Sequence, residues 1–187
     1  PPRGNPGEDF ISAPIAAEAD GQRLSGDELR VMVNSLVFAG QDTTRNQLGL
    51  AMTTFTRHPD QWRLLAERPE LAGPAVEELM RVHPVAPVIA RLAVEDFTFQ
   101  NLDIPAGTHL LLFIATANTE PETFGDAPFD ITAQRATHLS FGGGIPYCLG
   151  NWLARLEMRE ALPILDSRLG AMGLAGPFPS RPPVGLT

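Results

Sequence analysis

Lysine is absent from this sequence of 187 residues, and cysteine, tryptophan and tyrosine are scarce, with one, two and one copies. The single thiol, Cys148, excludes an internal disulfide, so the fold rests on its buried core and suits a reducing compartment. No stretch reaches the roughly 20 apolar residues of a membrane span. Basic residues number 14 against 22 acidic ones, for a net charge of -8. That balance argues against nucleic acid or an anionic membrane as partner and suits a small uncharged or cationic ligand. All 14 cations are arginine, a bias that points to a GC-rich coding sequence and hence a high-GC bacterium. The start, Pro1-Pro2-Arg3-Gly4, is neither an initiator Met nor a signal peptide. The expectation is a soluble, cytoplasmic chain truncated at its N-terminus.

What is present reads as one domain, residues 1–187, long enough to bury a sizeable core. Residues 1–24 read as a linker with a short helix over 10–19. Ser25-Gly26-Asp27-Glu28 is a capping box, in which Ser25 accepts from the first turn and Glu28 reaches back to the cap. A helix over 25–57 follows, with a first half (Leu29, Val31, Met32, Val33, Leu36, Val37, Phe38, Ala39) that is apolar nearly all round and so belongs inside a protein. Its length of about 48 Å exceeds the roughly 40 Å diameter of a compact domain this size. That mismatch predicts missing mass.

His58-Pro59 ends this helix, Asp60 is placed to cap a second one through Glu67, and a third spans 72–82 before His83-Pro84 stops it. Between 88 and 105 short β-prone runs at 88–94 and 97–99 predict a small sheet, with 101–107 as turn material. Periodicity leaves 110–117 open between helix and strand, and 120–140 reads as an ordered meander. Helical spacing returns over 149–169, before a Gly/Pro-rich tail. The fold class is mainly α with a small β region.

Chemistry concentrates in Phe141-Gly142-Gly143-Gly144-Ile145-Pro146-Tyr147-Cys148-Leu149-Gly150, a glycine-rich loop ending in a cysteine at the mouth of a helix. Unpaired N–H groups at a helix N-terminus stabilise an anionic sulfur, which is the form that binds metal. The glycines let the backbone approach a flat, bulky ligand, and Phe141 is placed to shield the sulfur from water.

This segment resembles the haem-binding signature of the cytochrome P450 family, Phe-x-x-Gly-x-Arg/His-x-Cys-x-Gly, through Phe141, Gly144, Cys148 and Gly150. Pro146 stands where the family has its basic residue. The resemblance implies heme b, with Cys148 as axial thiolate to iron, and places Arg91 and His138 as partners of the haem propionates. A second segment, Ala39-Gly40-Gln41-Asp42-Thr43-Thr44, is similar to the family's oxygen-binding motif. Gly, Asp and Thr suit a buried helix interior poorly, which predicts a locally opened helix there. In that groove Thr43 would donate to dioxygen and Asp42 would relay protons from solvent. A third segment, Glu78-Leu79-Met80-Arg81, resembles the family's Glu-x-x-Arg pair, whose i,i+3 spacing sets both side chains on one face. Its implied role is structural: it ties the helix to the meander, with an Arg before a Phe as third partner. Here Pro128 precedes Phe129, and Arg135 is the available substitute.

The resemblance covers the chain from about residue 6 onward and implies the C-terminal part of a bacterial haem-thiolate monooxygenase. The implied reaction inserts one oxygen atom from dioxygen into a small apolar substrate, with electrons from NAD(P)H through a ferredoxin or ferredoxin reductase. Two rivals stand beside it. One is a non-catalytic fragment that binds haem poorly or needs a missing N-terminal half. The other is a cysteine-nucleophile enzyme using Cys148 with His138 as base.

Overall fold

The computed structural model describes residues 18–19, 22–126, 128–144, 147–173 and 176. Two compact units divide the chain, residues 1–42 and 43–187, with the boundary inside the longest helix.

In the first unit strand β1 (Glu18–Ala19) pairs antiparallel with β2 (Gln22–Arg23). The helix expected over 10–19 is corrected at its last two residues, which are extended; the others, like Pro146, lie outside the described residues. The overlooked signal is the Asp-Gly pair at 20–21, a favoured two-residue hairpin sequence. Helix α1 (Gly26–Arg57) then starts at the capping box. The Glu28 N–H donates to Ser25 Oγ at 3.2 Å and the Ser25 N–H to Glu28 Oε2 at 2.7 Å. Its apolar first half is not covered by the described residues: Val31, Val37 and Phe38 are all more than 60% exposed, at 65, 64 and 62%. At these three residues the expected burial is not met among the described residues.

In the second unit the rest of α1 buries Gln47, Ala51, Thr54 and Phe55, a stripe at helical spacing. Helix α2 (Pro59–Glu67) begins at its own proline, with His58 as cap residue. Asp60 therefore sits in the first turn and is not the cap; proline's fixed φ and missing N–H suit the first helical position. A 3-10 turn (Pro69–Leu71) leads into α3 (Ala72–Val82). After the meander, α6 (Asn151–Leu169) closes the described fold.

These helices share one core. Ala51 and Phe55 of α1 meet Trp62 and Leu65 of α2, Ala75, Val76 and Leu79 of α3, Phe129 and Ile131 of the meander, and Met158 and Leu162 of α6. Phe55 anchors it, with ring centroids 4.9 Å from Trp62 and 5.7 Å from Phe129. The Trp62 indole N–H donates to the Gly170 carbonyl at 2.8 Å, so the first turn of α2 is tied to the end of α6.

Two antiparallel ladders lie between α3 and the meander along the chain. Strand β3 (Val88–Leu92) pairs with β6 (His109–Phe113), Val88 opposite Phe113 and Leu92 opposite His109. Strand β4 (Phe97–Phe99) pairs with β5 (Leu102–Ile104). The reading of 101–107 as turn is corrected by β5: Phe97 faces Ile104 and Phe99 faces Leu102, and such apolar cross-strand pairs stabilise a short strand. The open choice over 110–117 resolves as both, β6 followed by the short helix α4 (Ile114–Ala117). The meander holds one further turn of helix, α5 (Pro121–Phe124). Among the described residues no helix is long and apolar enough to cross a membrane.

Candidate functional site

The cysteine loop is a hairpin closed by backbone bonds. The Gly142 N–H donates to the Leu139 carbonyl at 2.8 Å, and the Cys148 N–H donates to the Phe141 carbonyl at 2.9 Å. Gly142 and Gly144 have φ of 80° and 72°, a left-handed conformation that side chains with a Cβ adopt at a cost. The chain therefore needs glycine at both to bring Cys148 back beside Phe141.

Cys148 is exposed and lies two residues before Gly150, the cap residue of α6. Its carbonyl is held twice by Asn151, by the backbone N–H at 3.3 Å and the side-chain amide at 2.7 Å. The thiol-bearing residue is thus fixed by its backbone while its side chain stays accessible.

Glu78 and Arg81 of α3 form a buried two-pronged pair. Arg81 Nε donates to Glu78 Oε2 and Nη2 to Oε1, each at 2.8 Å, with both side chains at most 3% exposed. Arg81 Nη1 donates to the Asn118 carbonyl at 2.9 Å. Arg135 brings a second guanidinium to the same carboxylate, Nη2 to Oε1 at 3.7 Å, while also donating to the Pro128 carbonyl. Asn118, fully buried, continues the path: its oxygen accepts from the Leu139 N–H at 2.7 Å, and its amide donates to Ser140 Oγ at 2.9 Å. The Glu-x-x-Arg pair is therefore linked to the two residues just before the cysteine loop.

His138 is buried, 6% exposed. Its Nδ1 accepts the Ser140 N–H at 3.2 Å, and its Nε2 faces Glu77 Oε2 at 3.2 Å. That pattern assigns the ring proton to Nε2. Glu77 is shared with Arg155 of α6, which donates from Nε at 2.6 Å and from Nη2 at 3.1 Å. Burial pushes the Glu77 carboxyl up, but bonds and charge from His138 and Arg155 outweigh it and hold the group at about 2. Arg91, on β3 opposite Leu110, donates to the Ala90 carbonyl at 2.9 Å.

Asp42 belongs to the first unit and Thr43 to the second; each is half-buried. The helix runs through both without interruption, which corrects the expected opening. A single glycine costs about 1 kcal/mol in a helix interior, too little to break a helix propagated by cooperative bonds on both sides.

Sequence reading picked out Glu78, Arg81 and His138 but missed Glu77, Asn118, Asn151 and Arg155, which connect them. The available signal was the Asn151/Arg155 spacing, i and i+4 on the helix that leaves the cysteine.

Among the described residues no group of three or more His, Cys, Asp or Glu is placed to hold a metal ion. The one exposed soft donor, Cys148, suits a metal that brings its other ligands with it, as a porphyrin does. A Cβ added at Gly143, Gly144 or Gly150 would meet nothing within 4 Å, so the backbone around the sulfur is open to a flat group. Near Cys148 in the chain, Leu139, Tyr147 and Leu149 leave apolar surface exposed, at 43, 43 and 77%. These residues fit haem.

Residues 61–165 match the family model for cytochrome P450. The chain belongs to the cytochrome P450 family. It is 45% identical over 184 residues to luteothin monooxygenase of Streptomyces thioluteus, covering 97% of this chain and 45% of that relative. It is 40% identical over 175 residues to the cytochrome P450 monooxygenase PikC of Streptomyces venezuelae, covering 92% of this chain and 42% of that relative. Among solved structures, PksS, the bacillaene polyketide synthase cytochrome P450 of Bacillus subtilis, superposes with a TM-score of 0.84 at 38% identity, over 92% of this chain and 45% of that one. P450BioI, solved with a hexadecenoic acid-ligated acyl carrier protein, gives 0.85 at 35% identity, over 98% and 47%. The fold is the mainly helical C-terminal part of a cytochrome P450, and the chain spans a little under half the length of these relatives.

Proposed function

We propose that this chain carries the haem-binding part of a thiolate-ligated monooxygenase acting on a small apolar substrate. The observation that supports it most is the exposed Cys148 at the end of a glycine hairpin whose backbone is pinned to α6. When bound, haem would supply the activation of dioxygen and the transfer of one oxygen atom.

The chain's own residues would do the rest. Cys148 would hold the iron as thiolate, with Phe141, Gly144 and Gly150 shaping the backbone around it. Arg91 donates to a neutral carbonyl, which leaves its charge available to a propionate. His138 would reach a propionate only by releasing Glu77, to which its Nε2–H is bound. The Thr43 hydroxyl would pass a proton toward the substrate side, and the Asp42 carboxylate would take up protons from solvent. Glu78 and Arg81 are structural in this reading. Electrons would come from NAD(P)H through a ferredoxin or its reductase, in the cytoplasm of a bacterium.

A second reading, that the chain works only together with an N-terminal half, is favoured by the uncovered apolar residues of α1 and by Trp152 and Leu153 of α6, 80 and 58% exposed. The nucleophile reading is weakened at His138, both of whose nitrogens are already bonded.

Haem titration into the purified chain, followed by reduction and carbon monoxide, tests the proposal. A red-shifted Soret band is expected, and Cys148→Ser abolishes it. Unchanged uptake and spectrum in Cys148→Ser would refute the assignment of the ligand. A band that appears only after an N-terminal half is supplied favours the second reading.

A further inference from the structure

We propose that Arg155 is the positioning residue for Cys148, coupling both ends of the cysteine loop to helix α3. The inference rests on the reading of Cys148 as the iron ligand.

One guanidinium makes several contacts at once. Its Nε and Nη2 donate to the two oxygens of Glu77 at 2.6 and 3.1 Å. Its Nη1 donates to Asn151 Oδ1 at 2.9 Å, and the Asn151 amide in turn donates to the Cys148 carbonyl at 2.7 Å. Its carbon lies 4.2 Å from the centre of the Phe141 ring, within reach of a cation–π contact. Phe141 and Cys148 are the two residues joined by the bond that closes the hairpin. The first is therefore stacked on Arg155, and the second is held by Arg155 through one intervening side chain.

Only a planar fork with five N–H donors fits this arrangement, because the face must stack while the edges donate in two directions. A lysine ammonium retains the charge toward Glu77 but cannot also stack flat on Phe141 and orient Asn151. The ion pair is charge-assisted and bidentate, the stronger kind. Glu77 is held ionised by its partners, which keeps this anchor in place across the neutral range. Arg155 also interacts with the Tyr147 side chain, and it reaches Cys148 through Phe141 and Asn151.

The test is amide hydrogen exchange on the full haem-free chain, read residue by residue, in wild type, Arg155→Ala and Arg155→Lys. Protection of the Cys148 amide is expected to fall about tenfold in Arg155→Ala and about threefold in Arg155→Lys, with Leu79 and Leu162 changing by less than about twofold. In the haem-loaded, reduced and carbon monoxide-treated protein, the same variants lose part of the red-shifted band in the same order. Cys148 protection unchanged in both variants overturns the proposal, and so does an equal loss at Leu79 and Leu162, which marks a merely structural role. If Arg155→Ala does not fold, Arg155→Lys decides alone. A wild-type chain without the red-shifted band refutes the ligand assignment, while the exchange measurement still decides whether Arg155 holds the loop.

Discussion

Arg135 Nη2 lies 3.7 Å from Oε1 of Glu78, the same carboxylate that Arg81 grips from the other side with two bonds of 2.8 Å. The family's third partner is an Arg just before a Phe, a place taken here by Pro128. The guanidinium instead arrives from seven residues further along the meander. The buried carboxylate thus keeps two cations, one tight and one looser.

Breaking the tight pair leaves a buried charge without its close partner. Glu78→Gln or Arg81→Ala is expected to lower stability by about 3–5 kcal/mol. Arg135→Ala costs no more than about 1 kcal/mol, because its contact is longer and its Nε is buried without a partner among the described residues. Urea unfolding of the three variants checks the ranking. An Arg135→Ala loss as large as that of Arg81→Ala contradicts it.

Gln47, 3% exposed, clamps the chain just after α3. Its amide donates to the His83 carbonyl at 2.9 Å, and its oxygen accepts the Val85 N–H at 2.8 Å. Gln47→Leu strands both backbone groups, each worth about 1–3 kcal/mol when buried and unpaired. A fall of about 2–4 kcal/mol is expected in the same unfolding experiment.

The Glu77 carboxyl is held at about 2 in the folded chain, below its ordinary 4.5. Its folded-state value is depressed, so its contribution is full above about pH 4.5 and is lost as pH falls toward 2. Stability measured against pH should therefore slope less over that window in Glu77→Gln than in wild type. Equal slopes would place the acid sensitivity elsewhere.

His83 is shifted down from 6.5, chiefly by burial and further by the charges of Arg57 and His58. Its Nδ1 pairs with Thr54 Oγ1 at 2.8 Å, and the Thr54 hydroxyl donates to the Leu50 carbonyl, so the ring nitrogen is the donor. The neutral ring is the native form. Its contribution is full above pH 6.5 and is lost as pH falls below that value. A nuclear magnetic resonance titration should find the His83 midpoint below 6.5, and a midpoint at or above it disproves the account.

Local signals were legible in the residues themselves. The capping box forms both of its reciprocal bonds, and His83-Pro84 ends α3 at Val82. Gly142 and Gly144 of the cysteine loop adopt the left-handed angles that only their missing Cβ makes cheap. The likeness of the segment from Phe141 to Gly150 to the family's haem-binding signature likewise lies in residue type and order. Strand β5 escaped because three residues carry too little periodicity, and its partner β4 defines it. The predicted opening at Gly40 to Thr44 failed because residue preferences of about 1 kcal/mol yield to cooperative helix bonds.

The order of residues along this chain determined what is local: helix starts and stops, the loop that offers Cys148, and the Glu78/Arg81 pair. Tertiary structure alone decided which distant groups share a charge. Glu77 and Arg155 are separated by 78 positions, and Glu77 and His138 by 61. Sequence spacing carries no record of such meetings, because a hydrogen bond depends on distances of about 3 Å, and those exist only once the core has packed.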